Sequence, residues 1–368
     1  MKKGSFLRVM VLMTFLLLVT AGTIFYAQGF RLDLGKRSFA QTGMILVKSL
    51  PDGARVLLDG ELTTATDSTI GSLDPDTYHL KIEKEGFLPW ERDVEVKAEL
   101  VTKITAILPP VSPSLKAISQ AGARLVTAAP SGTRAAFLSG DKLYLLSLNS
   151  PFLGFLSTRP QEMAIETSDF HFANVTALEF SPNEDQLLLT TTEKARLFPT
   201  QSGAAAIAVS NPAALKTQWE TLIKEQRAEL TKTLEIPEEF TDLALALTSV
   251  WAPDERKFLY EKNEGGKRQI WVANFTDPLP VGEETNRMVL ETTDANLKIF
   301  WLASSQHFIV LEGGTVSILD LDGTNKREIF SGTLAEPLAL SSTDLAQVIV
   351  VTSISPNSPA NLYGISLR

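Results

Sequence analysis

Three histidines, His79, His171 and His307, are the side chains best suited to proton transfer near neutral pH or to metal binding. They lie far apart, and no two stand four residues apart as a metal-binding helix face requires. A zinc site is not expected. Cysteine is absent, which removes thiolate ligands, cysteine nucleophiles and disulfides together. No Gly-x-Ser-x-Gly elbow, Walker loop or Gly-x-Gly-x-x-Gly run occurs. Asp320-Leu321-Asp322-Gly323-Thr324-Asn325 faintly resembles a calcium loop, but the bidentate Glu downstream is misplaced, and Asp-Gly favours a hairpin. Paired carboxylates can hydrolyse sugars, but a linear sequence does not show which acids converge. The expectation is no catalytic residue, no metal and no cofactor, in a binding protein rather than an enzyme.

The elements that carry these side chains begin with a membrane segment. Lys2, Lys3 and Arg8 precede an apolar run from Val9 to Ala27, broken only by Thr14, Thr20, Gly22 and Thr23. About 20 such residues span a bilayer as a helix. The sequence predicts a signal anchor over residues 1–30 and a linker over 31–42. A cleaved signal ending at Val19-Thr20-Ala21 is the alternative, although Ile24, Phe25 and Tyr26 continue the run. The short N-terminal flank places the bulk of the chain outside the cytoplasm, single-pass. Residues 1–37 carry six cations and one anion, so of the net −9 the remainder holds −14. An acidic body lacks the cationic footprint of a nucleic-acid binder.

From Gly43 to Leu108 the hydrophobic period changes to two. Met44 to Val47 is an apolar strand and Pro51-Asp52-Gly53-Ala54 a turn. Val56 to Leu58 leads into Asp59-Gly60, a hairpin signal. Tyr78, Leu80 and Ile82 share one strand face, and Gly86-Phe87 breaks the chain before the last strands. These features predict a small β-sandwich over 43–108. The segment resembles a PEGA domain, whose Pro-Glu-Gly-Ala turn corresponds to Pro51–Ala54. Its Leu-x-Pro-Gly-x-Tyr turn corresponds to Leu73–Tyr78, with Asp76 at the glycine position. Thr63-Thr64-Ala65-Thr66 replaces the family's Gly-x-Thr-Pro. The resemblance implies a non-catalytic module common in bacterial and archaeal envelope proteins.

The remainder, 115–368, repeats with a period near fifty residues. Turns anchored at Pro130, Pro182, Pro253, Ala303 and Ser342 lie 52, 71, 50 and 39 residues apart. Each is followed by apolar strands, as in Phe258-Leu259-Tyr260 and Ile270-Trp271-Val272. Such units cannot bury both faces alone and stack radially, predicting a β-propeller of five or six blades. The pattern resembles TolB-like and WD40-like repeats, with Trp251 to Asp254 nearest the Trp-Ser-Pro-Asp-Gly consensus. The long gap holds a helical insertion at about 211–236, opened by Asn211-Pro212 and stopped by Pro237. Leu215, Trp219, Leu222, Ile223, Leu230 and Leu234 form its apolar face. That helix either covers a blade or offers a docking surface. The fold class is mainly β.

These elements predict a membrane-anchored envelope protein whose propeller binds a protein, peptide or glycan. A glycan-active enzyme using funnel carboxylates and a structural component of envelope assembly remain open alternatives.

Overall fold

In the computed structural model the described residues are 3–27, 30–33, 38–149, 159–201, 205–355 and 358–368. Helix α1 spans Lys3–Ala27. Among the described residues no helix is long and apolar enough to cross a membrane. The expected anchor over 1–30 is therefore not found as a spanning helix. Lys2, of its cationic flank, lies outside the described residues. Strands β1 (Phe30–Asp33) and β2 (Ser38–Gln41) pair antiparallel, with 34–37 of the expected linker outside the described residues. The chain forms two compact units. One comprises residues 1–85, 89–108 and 280–283, the other 86–88, 109–279 and 284–368.

Besides the β1–β2 pair, the described residues of the first unit form two sheets. β3 (Gly43–Leu50) lies between β6 (Ser68–Leu73), antiparallel, and β9 (Val101–Ile107), parallel. The second sheet has the order β5-β4-β7-β8, from β4 (Arg55–Leu58), β5 (Glu61–Ala65), β7 (Asp76–Glu83) and β8 (Trp90–Val96). Alternate residues fill the core, including Ile45, Val47, Val56, Leu80, Ile82, Trp90, Val94 and Ile104. The Pro51–Ala54 turn is held by Thr66, from the stretch that departs from the family pattern. Its Oγ1 accepts from Ala54 N at 2.8 Å and lies 2.7 Å from Ser49 Oγ. Tyr78 Oη donates to Asp74 O at 3.0 Å, closing the second turn.

Among the described residues the second unit carries five four-stranded antiparallel sheets, blades I to V. β10 (Leu115–Ala117) comes first and belongs to blade V. Blade I is β11 (Arg124–Ala128), β12 (Arg134–Ser139), β13 (Lys142–Ser147) and β14 (Gln161–Ile165). Blade II is β15 (Ala177–Phe180), β16 (Gln186–Thr190), β17 (Ala195–Pro199) and β18 (Ile207–Val209). Helices α2 (Pro212–Thr233) and α3 (Glu238–Leu245) follow. Blade III is β19 (Val250–Trp251), β20 (Lys257–Glu264), β21 (Lys267–Asn274) and β22 (Asn286–Thr292). Blade IV is β23 (Lys298–Trp301), β24 (His307–Glu312), β25 (Thr315–Asp320) and β26 (Arg327–Ser331). Blade V is β27 (Leu334–Ser341), β28 (Gln347–Thr352) and β29 (Asn361–Ser366), completed by β10 against β29. The first and last strands of the propeller thus close one sheet.

One turn recurs five times between the first and second strands. Gly132, Glu184, Glu255, Ser305 and Leu345 all sit at φ between 54° and 67°. Each donates its N–H to the carbonyl three residues back: Ala129, Ser181, Ala252, Leu302 and Ser342. This fixes the repeat, and it sets the fifth turn one residue later than the Ser342 anchor suggests, at Thr343. Only blade I keeps glycine at the left-handed position.

Buried residues alternate between neighbouring blades. On β12, Ala136 and Leu138 face blade II, whereas Ala135 and Phe137 face blade V. On β20, Leu259 packs towards blade IV with Trp301, Phe308 and Val310. Blades IV and V adjoin through β23, β24 and β27. Between blades II and III stands the helix pair. Leu215 and Trp219 of α2 cover Leu188, Ala195 and Leu197 of blade II. Phe240 and Ala244 of α3 cover Phe258, Tyr260 and Ala273 of blade III. Arg227 of α2 donates to the carbonyls of Ala246 and Ser249 beyond α3, joining the two helices. The outer face of α2 is polar, with Thr217, Glu220, Thr221, Lys224, Glu225 and Glu229 exposed. Leu215, Trp219 and Leu234 of the expected apolar face pack against the fold, so the insertion is a wedge in the ring.

Two tryptophans show what the wedge replaces. Trp301 Nε1 donates to Val250 O of the preceding blade at 2.8 Å. Trp251 Nε1 donates to Ala244 O of α3 at 3.1 Å. Helix α3 therefore takes the place of a preceding inner strand.

Candidate binding surface

At the start of β24 the fold assembles a Ser–His–Asp set. Ser304 Oγ lies 3.0 Å from His307 Nδ1, and His307 Nε2 lies 3.5 Å from Asp320 Oδ1. These are the residue types of a hydrolytic triad. Their surroundings assign them another role. His307 and Asp320 are 1% and 5% exposed, which shields the imidazole from solvent. Ser304 Oγ accepts from Gln306 N at 3.3 Å, closing a serine turn. In blade III the same three places hold Asp254, Lys257 and Asn274. There Asp254 accepts from Arg256 N at 3.1 Å and from Lys257 Nζ at 2.7 Å. The Ser–His–Asp set is one version of a turn lock that another blade builds from different residues. Aligning Ser304 with Asp254 in the repeat is the signal that finds it in the sequence.

The other two histidines stand apart. His79 Nδ1 lies 2.8 Å from Asp93 Oδ1 on an exposed strand pair. His171 Nδ1 lies 3.1 Å from Glu166 Oε1, and Glu166 Oε2 accepts from Phe172 N at 3.0 Å. His171 and that amide hold the Glu166 carboxyl below its ordinary range. Among the described residues no group of three or more His, Asp or Glu side chains is placed to hold a metal ion.

Carboxylates on the inner strands have separate partners. A break in register between Arg124 and Thr127 frees two backbone amides of β11. Glu336 of β27 takes both, accepting from Leu125 N at 2.5 Å and Val126 N at 2.9 Å. Glu179 of β15 lies 2.5 Å from Lys216 Nζ of α2. These acids fasten blade V to blade I and α2 to blade II.

A groove of about 120 Å³ opens between blades III and IV. Val250, Leu259, Ile270, Ile299 and Phe300 form its apolar walls, with Thr248, Tyr260, Glu261, Arg268 and Lys298 at its polar positions. Arg268 donates through Nη1 to Ala295 O at 3.2 Å and through Nη2 to Leu297 O at 2.6 Å. Its Nε lies 3.6 Å from Glu261 Oε2. Arg268 therefore fixes the segment that delivers Lys298. Among the described residues Lys298 has no carboxylate partner. Val250, one of the apolar walls, is 48% exposed. The sequence reasoning missed this site, because its walls come from four separate stretches of chain.

Residues 42–112 match the PEGA domain model. No curated protein matches the chain. Among solved structures, TolB from Acinetobacter baumannii is similar at 13% identity and TM-score 0.27, over 78% of this chain and 60% of that one. The β-propeller domain of Cps50 (Swd1) from Myceliophteria thermophila is similar at 10% identity and TM-score 0.30, over 69% and 99%. Hsv2 from Kluyveromyces lactis is similar at 9% identity and TM-score 0.21, over 84% and 70%. The propeller assignment rests on the strand order and the fivefold turn rather than on these superpositions. The chain thus carries a PEGA-domain match at residues 42–112, followed by a β-propeller of five described blades.

Proposed function

We propose that this chain is a membrane-tethered binding protein of the cell envelope. Helix α1 tethers it, the PEGA sandwich follows in chain order as a spacer, and the propeller binds a protein, peptide or glycan without turnover. The inner rim carries this reading. Glu179 and Glu336 are each engaged by a partner of their own, whereas the groove beside Lys298 stays open. Tethering is supported by the apolar run from Val9 to Ala27, whose described side chains such as Leu12 and Leu17 are exposed. The −14 carried beyond residue 37 disfavours nucleic acid.

The test is capture from native envelope by the solubilised, immobilised full chain, run beside a screen for turnover of peptides, esters and glycans. A recovered ligand with a blank screen is expected. Turnover that disappears on Glu179→Gln, Glu261→Gln or Glu336→Gln would make the protein an enzyme. Tethering is checked by carbonate washing of membranes, where release of the chain into the wash rejects an inserted helix.

A further inference from the structure

Resting on the binding reading above, we infer that the groove between blades III and IV takes the C-terminal residue of a peptide chain that ends in an aliphatic side chain. The size of the groove sets the first limit. About 120 Å³ is close to the cavity of about 150 Å³ that holds one benzene, so it admits a single side chain. The walls set the second limit. Leu259, Ile270, Ile299 and Phe300 carry no hydrogen-bonding side-chain group, and of the two neutral hydroxyls in the lining Tyr260 Oη is taken by Asn286 Oδ1 at 2.8 Å, which leaves Thr248.

Charge sets the third limit. Lys298 lines the groove without a carboxylate partner among the described residues, in a chain of net charge −9. An ammonium beside apolar walls is complementary to a carboxylate, and a charge-assisted hydrogen bond there is about twice as strong as a neutral one. Arg268 is already engaged by two carbonyls and faces Glu261, so it acts as a positioning residue for the 295–297 segment. Glu261 on the opposite side repels a second acid, which limits the ligand to one carboxylate next to one apolar side chain. A chain terminus has this chemistry. A peptide is favoured over a free amino acid because Val250, a wall of the groove, is 48% exposed, so the apolar wall continues to the surface, where preceding residues would lie.

The probe is the pentapeptide Ala-Ala-Ala-Ala-Leu, as free acid and as C-terminal amide, titrated calorimetrically into the detergent-solubilised full chain. The acid is expected to bind ~10-fold more tightly than the amide, the scale of one charged hydrogen bond. Lys298→Met should erase that difference and leave the amide unaffected, with an unchanged melting curve confirming the fold. Val250→Glu, at an exposed position, should weaken both peptides. Equal binding of acid and amide, or a preference that survives Lys298→Met, overturns the proposal. Free leucine binding as well as the pentapeptide overturns the chain-end assignment. If no peptide binds while the immobilised chain still captures an envelope ligand, the groove is wrong and the binding reading stands. If neither experiment shows a ligand, both fail.

Discussion

Glu184 of blade II accepts a hydrogen bond from the backbone N–H of Ser131 in blade I, although Glu184 itself sits at a left-handed φ of 62°. Its carboxylate also pairs with Arg134 at 3.1 Å. Blades IV and III repeat the arrangement, Ser305 Oγ accepting from Asp254 N at 3.0 Å with Ser305 at φ 54°. The strained position keeps a side chain because that side chain holds the neighbouring blade.

This predicts an order of stabilities. A non-glycine residue at positive φ costs about 1–2 kcal/mol, and a hydrogen bond to a charged group returns about 1.5–3 kcal/mol. Glu184→Ala keeps the strain and loses the contacts, so it should destabilise by ~2 kcal/mol. Glu184→Gly also relieves the strain and should lose about half as much. Thermal unfolding ranks the three proteins, and a glycine variant more stable than the parent would falsify this account.

Gly323 is required for closeness as well as conformation. Its φ is 82°, and a Cβ there would stand 2.2 Å from Val289 O. Gly323→Ala should destabilise by about 2–4 kcal/mol through strain and displacement of β22. A melting temperature within a degree of the parent would show that the loop yields freely.

The Ser304–His307–Asp320 set should be inert to a fluorophosphonate serine probe. Ser304→Ala should cost about 1 kcal/mol by opening the serine turn. Probe labelling that vanishes in Ser304→Ala would instead reveal a nucleophile.

Acid should loosen the loop between β14 and β15. His171 and the Phe172 amide hold Glu166 below its ordinary 4.5, and Thr167 then Arg196 hold Asp169 below 3.8. A lowered carboxyl contributes stability that is complete above its unfolded pKa and is lost as pH falls through the folded one. Melting temperature should therefore drop more steeply below about pH 4.5 for the parent than for Glu166→Gln. Parallel curves would remove Glu166 from the explanation.

Much of the propeller was legible because punctuation is local. Pro130, Pro182 and Pro253 announce their turns through a preset φ, and Trp251 marks a first strand. The fifth turn has no proline, and reading its polar run displaced it by one residue to Ser342. Asn211 does cap α2, its Oδ1 accepting from Ala214 N at 3.0 Å. Helix α3 escaped notice because eight residues carry too short a period. Its wedge role depends on packing between blades far apart in sequence. The parallel pairing of β3 with β9 is non-local in the same way. The groove was illegible for that reason too: a solitary Lys298 in a sequence says nothing until Arg268 and Phe300 are seen beside it.

The closure of blade V has a mechanical consequence. The polypeptide enters the propeller through β10, the strand whose three paired residues, Leu115, Lys116 and Ala117, meet Ile365, Gly364 and Tyr363. Tension applied through the N-terminal side of the chain arrives first at this short seam. A pull has to break this seam and the bonds that extend it, from Ser366 N to Ser114 O and from Ile118 N to Leu362 O, before it reaches the six-residue pairing of β28 with β29.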